Sequence, residues 1–497
     1  MSRLLLLLPF LIWMSRNAPA RHPAELLRPT LLFFGFYLLL IACMGAWARL
    51  LARQVTDDTL HRNLRRFNRV MMFARLAVPA WFGAAVYFFS WDAIVKATFP
   101  TLAAWPVLTP ILLIGTAPAF VAWAGLWWAQ FPADLALKEQ GVLTQLENDI
   151  PVYHPQRLPA YLLTQLRLQL LFTLLPVLLI LVVHDVITLA FKLLSRSAQI
   201  PETVQAVALF SSTVVVFVIA PELLRRILKT RPLPASDLRN KLQAMCVING
   251  LKYREILLWE TNSQMGNAAV MGVLPRVRYI LLSDLLLETM TDEQVEAVFA
   301  HELGHIVHRH MAWYVVLFLI LFCIGAIFEA QLTRFAPALP NRDLWVLMGG
   351  VVMFIFGFGF VSRRFERQAD VFAARTVQMI QTPATLALPM HSFVGRVGAR
   401  VMAGTLQRVA IINNMPTTSA RLRNRRNWPR PSGLIDWLVD NANHWLHGSI
   451  ATRVQALHTL STDPAHTTQF DRKMTRLYIA LLCTLCLVAT WTIRQEM

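Results

Sequence analysis

Long apolar runs, separated by polar segments, are the dominant pattern in this sequence. Each run is close to or longer than the roughly 18–20 residues that an α-helix needs to cross a bilayer, the 76–91 run being the weakest. With an uncertain first segment, the pattern predicts a mainly α-helical, polytopic membrane protein with eight or nine spans. The runs cover residues 30–48, 76–91, 104–128, 169–190, 204–222, 312–333, 344–362 and 475–492.

The first segment, MSRLLLLLPFLIWMSRNAPAR, is ambiguous. Its basic start, short apolar run and Ala-Pro-Ala sequence are typical of a signal peptide. The apolar run has about a dozen residues, which is short for a complete span. A tilted first helix or an uncleaved anchor is therefore equally compatible with the pattern.

Charge predicts how the chain crosses the membrane. Only 15% of residues are charged, against about 25% in soluble proteins, and the net charge is +18. If the arginine-rich loop 49–75 is cytoplasmic, alternation places 129–168, 223–311 and 363–474, with its basic stretch 421–430, on the same side. This agrees with the positive-inside rule, apart from the arginines of 15–29. The charge therefore indicates a lipid bilayer as partner and no nucleic acid.

These boundaries divide the chain into five parts. Strand-like runs at 255–261, 268–273 and 277–283 predict a small β-sheet followed by helices. The five cysteines lie mostly in apolar runs, and Cys483 and Cys486, although at CxxC spacing, are interpreted as membrane-helix residues. The parts are 1–222, N-terminal transmembrane helices; 223–311, a cytoplasmic catalytic part with an edge strand; 312–362, a transmembrane hairpin; 363–474, a second cytoplasmic catalytic part; and 475–497, a C-terminal transmembrane helix.

The stretch 301-HELGHIVHRH-310 carries the strongest chemical signal. His301 and His305 are four residues apart and share one face of a predicted helix that is well capped near Thr291. Two imidazoles at this spacing, with Glu302 beside them, form the HExxH signature of zinc peptidases. Zn²⁺ would lower the pKa of a bound water, and Glu302 would act as general base.

A catalytic zinc site usually has three protein ligands, so a third is expected elsewhere. Glu366, in 362-SRRFERQAD-370, is the best candidate because the spans 312–333 and 344–362 form a hairpin that returns the chain to the same membrane face. Asp370 lies one helical turn further on and suits a partner for a ligating imidazole. His308 could compete as a ligand. It and His310 are otherwise interpreted as cationic residues that end the helix or mark the membrane interface.

HELGH, the hairpin and 366-ERQAD-370 together resemble the integral-membrane gluzincins, which include the type I CAAX prenyl endopeptidases and the heat-shock protease HtpX. GNAAVMG and 436–457 are similar to the edge strand and tail of that family. The resemblance, over about 223–460, implies a small α+β zinc metalloprotease module within the helical membrane protein. The sequence departs from the family pattern in two ways. It has His447-Gly448 where a His-Pro pair is usual, and it has a further span at 475–492 after the tail.

Roles follow from this resemblance, residue by residue. One Zn²⁺ would be bound by His301, His305 and Glu366, with Glu302 as the base and Asp370 orienting a ligand histidine. His447 and Arg453 would help to hold the substrate or the oxyanion. Main-chain groups along an edge strand would pair with an extended peptide, as an added strand does. The residues expected on that strand are Asn267, Ala268 and Gly272.

The predicted function is that of a zinc-dependent endopeptidase acting on membrane-associated polypeptides, with its site on the cytoplasmic side. One alternative is an intramembrane-cleaving zinc protease, although HELGH here precedes its span rather than lying within it. Another is a non-catalytic scaffold or transporter that carries the motif. An intact Glu302 and spans with few ionisable groups argue against this second alternative.

Overall fold

The computed structural model describes residues 5–16, 23–54, 60–105, 107–140, 146, 156–194, 202–263, 265–381, 393–413, 415 and 445–496. The basic stretch 421–430 and residues 436–444 of the predicted tail lie outside these ranges. Two compact units divide the chain between Leu228 and Lys229.

The first unit is helical. Its helices are α1 (Leu8–Met14), α2 (Pro23–Arg53), α3 (Leu60–Phe89), α4 (Trp91–Thr98), α5 (Pro100–Ala104), α6 (Thr109–Gln140), α7 (Leu158–Gln165), α8 (Phe172–Leu194) and α9 (Glu202–Ile227), with a π-helical turn, Leu166–Leu171, joining α7 to α8. Asp185 of α8 accepts hydrogen bonds from the N–H groups of Leu108 and Thr109, at 2.8 and 2.7 Å. This buried carboxylate therefore caps the first turn of α6, where backbone donors have no partner within the helix.

The second unit contains a small sheet and helices α10 to α17. Its elements are β1 (Thr230–Pro232), α10 (Asp237–Ile248), β2 (Glu255–Trp259), β3 (Ala268–Met271), β4 (Tyr279–Ser283), α11 (Asp284–Thr289), α12 (Asp292–Val307), α13 (His310–Phe335), α14 (Arg342–Gln381), α15 (Arg396–Ile412), α16 (Ile450–Thr462) and α17 (Pro464–Glu496).

Eight helical segments of the described chain are long and apolar enough to cross a membrane, which confirms the predicted polytopic helical fold. The eight apolar runs of the sequence each overlap one of them, although 76–91 and 104–128 extend a few residues beyond. Helix α1 is not among them, since its seven residues extend only about 10 Å. The eight segments are Glu25–Arg53, Arg69–Phe89, Thr109–Ala136, Leu158–Leu194, Thr203–Ile227, His310–Phe335, Arg342–Gln381 and Pro464–Thr492.

The sheet has the strand order β1-β2-β4-β3, so β3 lies at an edge. Strand β4 runs parallel to β2 and antiparallel to β3, and all five of its residues are buried. A run of apolar residues such as YILLS suits a central strand that is covered on both faces. The predicted small sheet is therefore confirmed, and its edge strand is one of the predicted runs.

Helix α12 carries HELGH and begins with a capping box. The Thr291 hydroxyl accepts from the Gln294 N–H, and the Gln294 side chain accepts from the Thr291 N–H. The helix ends at Val307, and Arg309 takes a left-handed conformation (φ 53°) before α13 begins at His310. HELGH and the following span consequently lie on two helices with a sharp break between them.

Helices α13 and α14 form the predicted hairpin. The loop between them is short and consists of residues 336–341. Helix α14 continues without a break from the apolar run to Gln381. Gly304 of HELGH lies against α14, where a Cβ atom would be 3.0 Å from Ala369 Cα. This close approach sets α12 directly beside the part of α14 that carries Glu366 and Asp370.

The C-terminal helix α17 packs against the hairpin. Its Met474 and Leu481 join a buried apolar cluster with Leu317 and Ile320 of α13 and Phe365 of α14. Phe365 immediately precedes Glu366 in the sequence. The C-terminal span therefore supports the segment of α14 that faces the HELGH helix.

Candidate metal centre

The structure brings His301, His305 and Glu366 together, with one ligand atom from each lying within 4.8 Å of the others. The Nε2 atoms of the two histidines are 3.3 Å apart. The carboxylate of Glu366 lies 3.6 Å from Nε2 of His301 and 3.7 Å from Nε2 of His305. These are the three metal ligands predicted from the sequence.

This spacing fits a tetrahedral zinc site. With Zn–N and Zn–O distances of about 2.0–2.2 Å, tetrahedral ligand atoms lie roughly 3.3–3.6 Å apart. Two Nε2 atoms that both face Glu366 also suit shared coordination better than a hydrogen bond between them. The donor set of two imidazoles and one carboxylate is one that catalytic zinc sites use.

Asp370 lies behind His301, one turn beyond Glu366 on α14. Its Oδ1 atom is 3.0 Å from Nδ1 of His301, on the side of the ring away from Glu366. Arg453 of α16 makes two hydrogen bonds to Asp370, at 2.8 and 2.5 Å, and places Nη1 3.2 Å from Glu366. Arg453 therefore connects the carboxylate behind His301 to the carboxylate of the third ligand.

The charges around this position leave room for a cation. The carboxylates of Glu302, Glu366 and Asp370 lie near one guanidinium, that of Arg453. Arg453 is shared between these carboxylates, so a protonated His301 or a bound divalent cation would be needed to balance the remaining negative charge. Buried charges without such compensation are costly, so this arrangement is compatible with metal binding.

The two histidines have different electrostatic surroundings, which shift their pKa values in opposite directions. Burial alone lowers the pKa of His301, but the nearby carboxylates of Asp370 and Glu366 outweigh it and raise the pKa to about 10. Burial and the neighbouring His301 lower the pKa of His305 to about 3. The carboxylates therefore favour positive charge beside His301, while His305 stays neutral and keeps a lone pair for a ligand bond.

Glu302 lines the same cavity as the three ligands. Desolvation outweighs the nearby cationic groups and raises the pKa of Glu302 to about 7. A carboxyl group with a pKa near neutrality can both accept and release a proton, which general acid–base catalysis requires.

His447 also reaches this centre. Its Nδ1 atom is 2.8 Å from Glu366, although two thirds of its side chain is exposed. Gly448, in place of the expected proline, has a positive φ of 72°. The structure thus places both His447 and Arg453 against Glu366, so that both residues predicted near the site contact a predicted ligand.

The edge strand β3 lines the same cavity, which has a volume of about 790 Å³. Asn267 pairs with β4, since its N–H donates to Ser283 Oγ and its carbonyl accepts from the Ser283 N–H. Pairing alternates along antiparallel strands, so the N–H and C=O groups of Ala268 and Val270 point to the outer edge of β3, which pairs with no other strand among the described residues. At Gly272 (φ 92°), a Cβ would collide with the Val277 carbonyl oxygen.

Three residues near the centre were not identified as site residues from the sequence: His310, Gln368 and Tyr478. His310, interpreted above as part of a helix end or membrane interface, is only 1% exposed, and its Nδ1 atom is 2.9 Å from Nδ1 of His305. The closeness of His310 to HELGH in the sequence indicated a possible role. Helical spacing alone, however, predicts that its side chain points away from His301 and His305.

Comparison with known proteins shows a similarity that includes this centre. Residues 232–461 match Peptidase family M48. The predicted resemblance is confirmed. This M48 segment contains strands β2 to β4, HELGH, the hairpin, Glu366 and Arg453, and it covers just under half of the chain.

Two curated relatives are similar over part of the M48 segment. A CAAX prenyl protease 1 homolog from Arabidopsis thaliana is 26% identical over 189 residues, which is 34% of this chain and 43% of that protein. A protease HtpX homolog from Bacteroides fragilis is 26% identical over 175 residues, 32% of this chain and 53% of that protein. The chain thus spans about half the length of the curated relatives it matches. Among solved structures, S. mikatae Ste24p aligns with 89% of this chain and all of its own, at 15% identity and a TM-score of 0.45.

Proposed function

We propose that this chain is a zinc-dependent endopeptidase of the membrane, which hydrolyses peptide bonds in membrane-associated polypeptides. The observation that carries the proposal is the convergence of His301, His305 and Glu366 on one position inside the cavity that Glu302 and strand β3 also line. The M48 segment contains all of these residues.

Zinc suits the ligands and their spacing. Nitrogen and carboxylate donors at tetrahedral separations are typical of catalytic zinc, which keeps a fourth position open. When bound, zinc would lower the pKa of a water toward about 7 and polarise a peptide carbonyl. Glu302 would take the proton of that water and then deliver it to the leaving amine.

The substrate would bind as an added strand. The N–H and C=O groups of Ala268 and Val270 point to the free edge of β3, where an extended peptide can pair with them. Gly272 would let the chain turn away at the end of the strand. Asn267 would hold β3 in place through its pairing with Ser283 rather than contact the peptide.

Arg453 and His447 would serve the centre in different ways. The guanidinium of Arg453 contacts two carboxylates, so we assign it the task of fixing Glu366 and Asp370. His447 is exposed to the cavity and is not enclosed by protein. It could therefore leave Glu366 when metal and substrate bind, and donate a hydrogen bond to the developing oxyanion.

The centre would lie at the cytoplasmic surface of the membrane. HELGH precedes the span that begins at His310, and Glu366 follows the apolar run 344–362, so both lie at one end of the hairpin. Basic residues cluster in the loops predicted for that side. This position favours an endopeptidase at the membrane surface over a protease that cuts within the bilayer, whose motif would lie inside a span.

The decisive experiment compares Glu302→Gln with the wild-type chain in membranes. The variant should retain zinc, because Glu302 is not a ligand, and should lose peptide hydrolysis. Polypeptides that accumulate only in its membranes are candidate substrates. Glu293→Gln, an exposed glutamate on the same helix, is the matched control and should behave as wild type.

Retention of zinc with wild-type hydrolysis in Glu302→Gln would refute the mechanism. If instead neither protein hydrolysed any membrane polypeptide, while both bound zinc, the alternative of a non-catalytic metal-binding membrane protein would hold.

A further inference from the structure

The imidazole of His305 has a different partner at each ring nitrogen. Its Nε2 atom faces the metal position, 3.3 Å from Nε2 of His301. Its Nδ1 atom points the other way and lies 2.9 Å from Nδ1 of His310. An imidazole that binds metal through one nitrogen carries its proton on the other, which then needs an acceptor.

His310 passes this interaction further into the protein. Its Nε2 atom is 3.0 Å from Oε1 of Gln368, and the hydroxyl of Tyr478 donates to the same oxygen at 2.5 Å. The ring of His310 also lies parallel to that of Phe365, with centroids 4.2 Å apart and an interplanar angle of 1°. The described contacts therefore hold His310 both at its edges and on one face.

These contacts have one consistent pattern of protons. If His305 gives its Nε2 lone pair to the metal, its Nδ1–H donates to Nδ1 of His310. His310 then carries its own proton on Nε2 and donates it to Gln368. The Gln368 carbonyl oxygen accepts that bond and the one from the Tyr478 hydroxyl, and an amide oxygen has two lone pairs for this purpose.

We propose that His310, Gln368 and Tyr478 are positioning residues, which hold His305 in the tautomer and orientation that bind the metal. The proposal rests on the metal-dependent function proposed above. It makes the C-terminal helix α17, through Tyr478, part of the support of a metal ligand that lies more than 170 residues earlier in the sequence.

The break at Arg309 is what makes this contact possible. On an uninterrupted helix, residues five apart lie about 140° apart around the axis, so His310 would point away from His305. The left-handed backbone of Arg309 separates α12 from α13, so residues after it no longer follow the helical spacing of α12. The first residue of that helix then faces back toward HELGH.

The two ligand histidines would consequently have unlike supports. His301 faces the carboxylate of Asp370, which Arg453 holds in turn. His305 faces a neutral chain of imidazole, amide and phenol. A neutral acceptor polarises a ligand less than a carboxylate does, so the support of His305 acts mainly through orientation.

The test measures zinc affinity of the full-length protein in detergent, by competition with a chromophoric chelator. His310→Phe keeps a ring against Phe365 but has no acceptor for His305. His310→Asn loses the ring but keeps an amide oxygen near the place of Nδ1. Loss of a group that orients a ligand typically weakens metal binding 10- to 100-fold, so we expect about that loss for His310→Phe and partial recovery for His310→Asn.

Two further variants leave the ring beside His305 unchanged. Tyr478→Phe and Gln368→Met remove later members of the chain and should each weaken zinc binding, Tyr478→Phe less than His310→Phe. His308→Phe is the matched control, because it makes the same change two residues away, and it should bind zinc as the wild type does.

The outcomes separate the two proposals. If wild type binds one zinc ion and His310→Phe binds it equally well, or better than His310→Asn, the positioning chain is refuted and the metal centre stands. If His310→Phe does not fold, unchanged affinity in both Tyr478→Phe and Gln368→Met refutes it instead. If wild type binds no zinc at all, both proposals fail together.

Discussion

Arg453 offers a test of the electrostatics of the centre that needs no substrate. Its side chain is 8% exposed and makes three close contacts with carboxylates: 2.8 and 2.5 Å to Asp370, and 3.2 Å to Glu366. Arg453→Met keeps most of the side-chain volume but removes the charge. Both carboxylates are buried, so they would lose their permanent cation and gain no solvent in return.

The expected effect is large for a single substitution. Breaking a buried ion pair by removing one partner costs about 3–5 kcal/mol, because an uncompensated charge remains. For a domain of this size, each kcal/mol corresponds to about 2–4 °C in melting temperature. We therefore expect the metal-free protein to melt roughly 6–20 °C lower.

The assay is thermal unfolding of the metal-free protein in detergent, followed by tryptophan fluorescence. Metal must be absent, because a bound cation would neutralise part of the charge that Arg453→Met leaves. Arg231→Met is the matched control: its partner Glu260 is 3.1 Å away, but both side chains are exposed, at 62% and 44%. Exposed pairs contribute only about 0–1 kcal/mol. Equal melting shifts for the two variants would refute the view that Arg453 compensates buried carboxylates.

Two other predictions concern the third ligand and the edge strand. Glu366→Gln should lower zinc content several-fold, measured by elemental analysis of purified protein, while His308→Ala should leave it unchanged; the reverse result would make His308 the ligand. Val270→Pro removes an N–H that points to the free edge, so it should raise the KM for a polypeptide substrate with little change in stability. Ala269→Pro removes an N–H that pairs with β4 and should destabilise the protein; if both variants affected only stability, peptide pairing along β3 would be wrong.

The hairpin and the third ligand show how far sequence alone can go. Two apolar runs of spanning length with a short connection admit essentially one local arrangement, which returns the chain to the face it left. Glu366 could thus be matched with His301 and His305 across some sixty residues, and the structure places these three together. The capped helix that carries HELGH could also be predicted from the sequence, because capping and helical spacing depend only on neighbouring residues.

The surroundings of the ligands were less accessible for physical reasons. Helical spacing predicts that His310 points away from His305. This prediction is wrong because the left-handed residue Arg309 interrupts the helix and changes the direction of the side chains after it. Tyr478 reaches Gln368 only through the packing of α17, which no local pattern encodes. Arg453 was expected near the oxyanion, and only the three-dimensional arrangement reveals that two carboxylates occupy its guanidinium.

The place of Tyr478 in α17 bears on the order in which these parts of the chain are made. A ribosome releases HELGH and Glu366 long before α17, so a growing chain has every predicted zinc ligand while Tyr478 and the packing of Met474 and Leu481 are still missing. The same holds for any product that stops before residue 464. The wall of the centre behind His310 is therefore completed only after α17 has been synthesised and has packed against the hairpin.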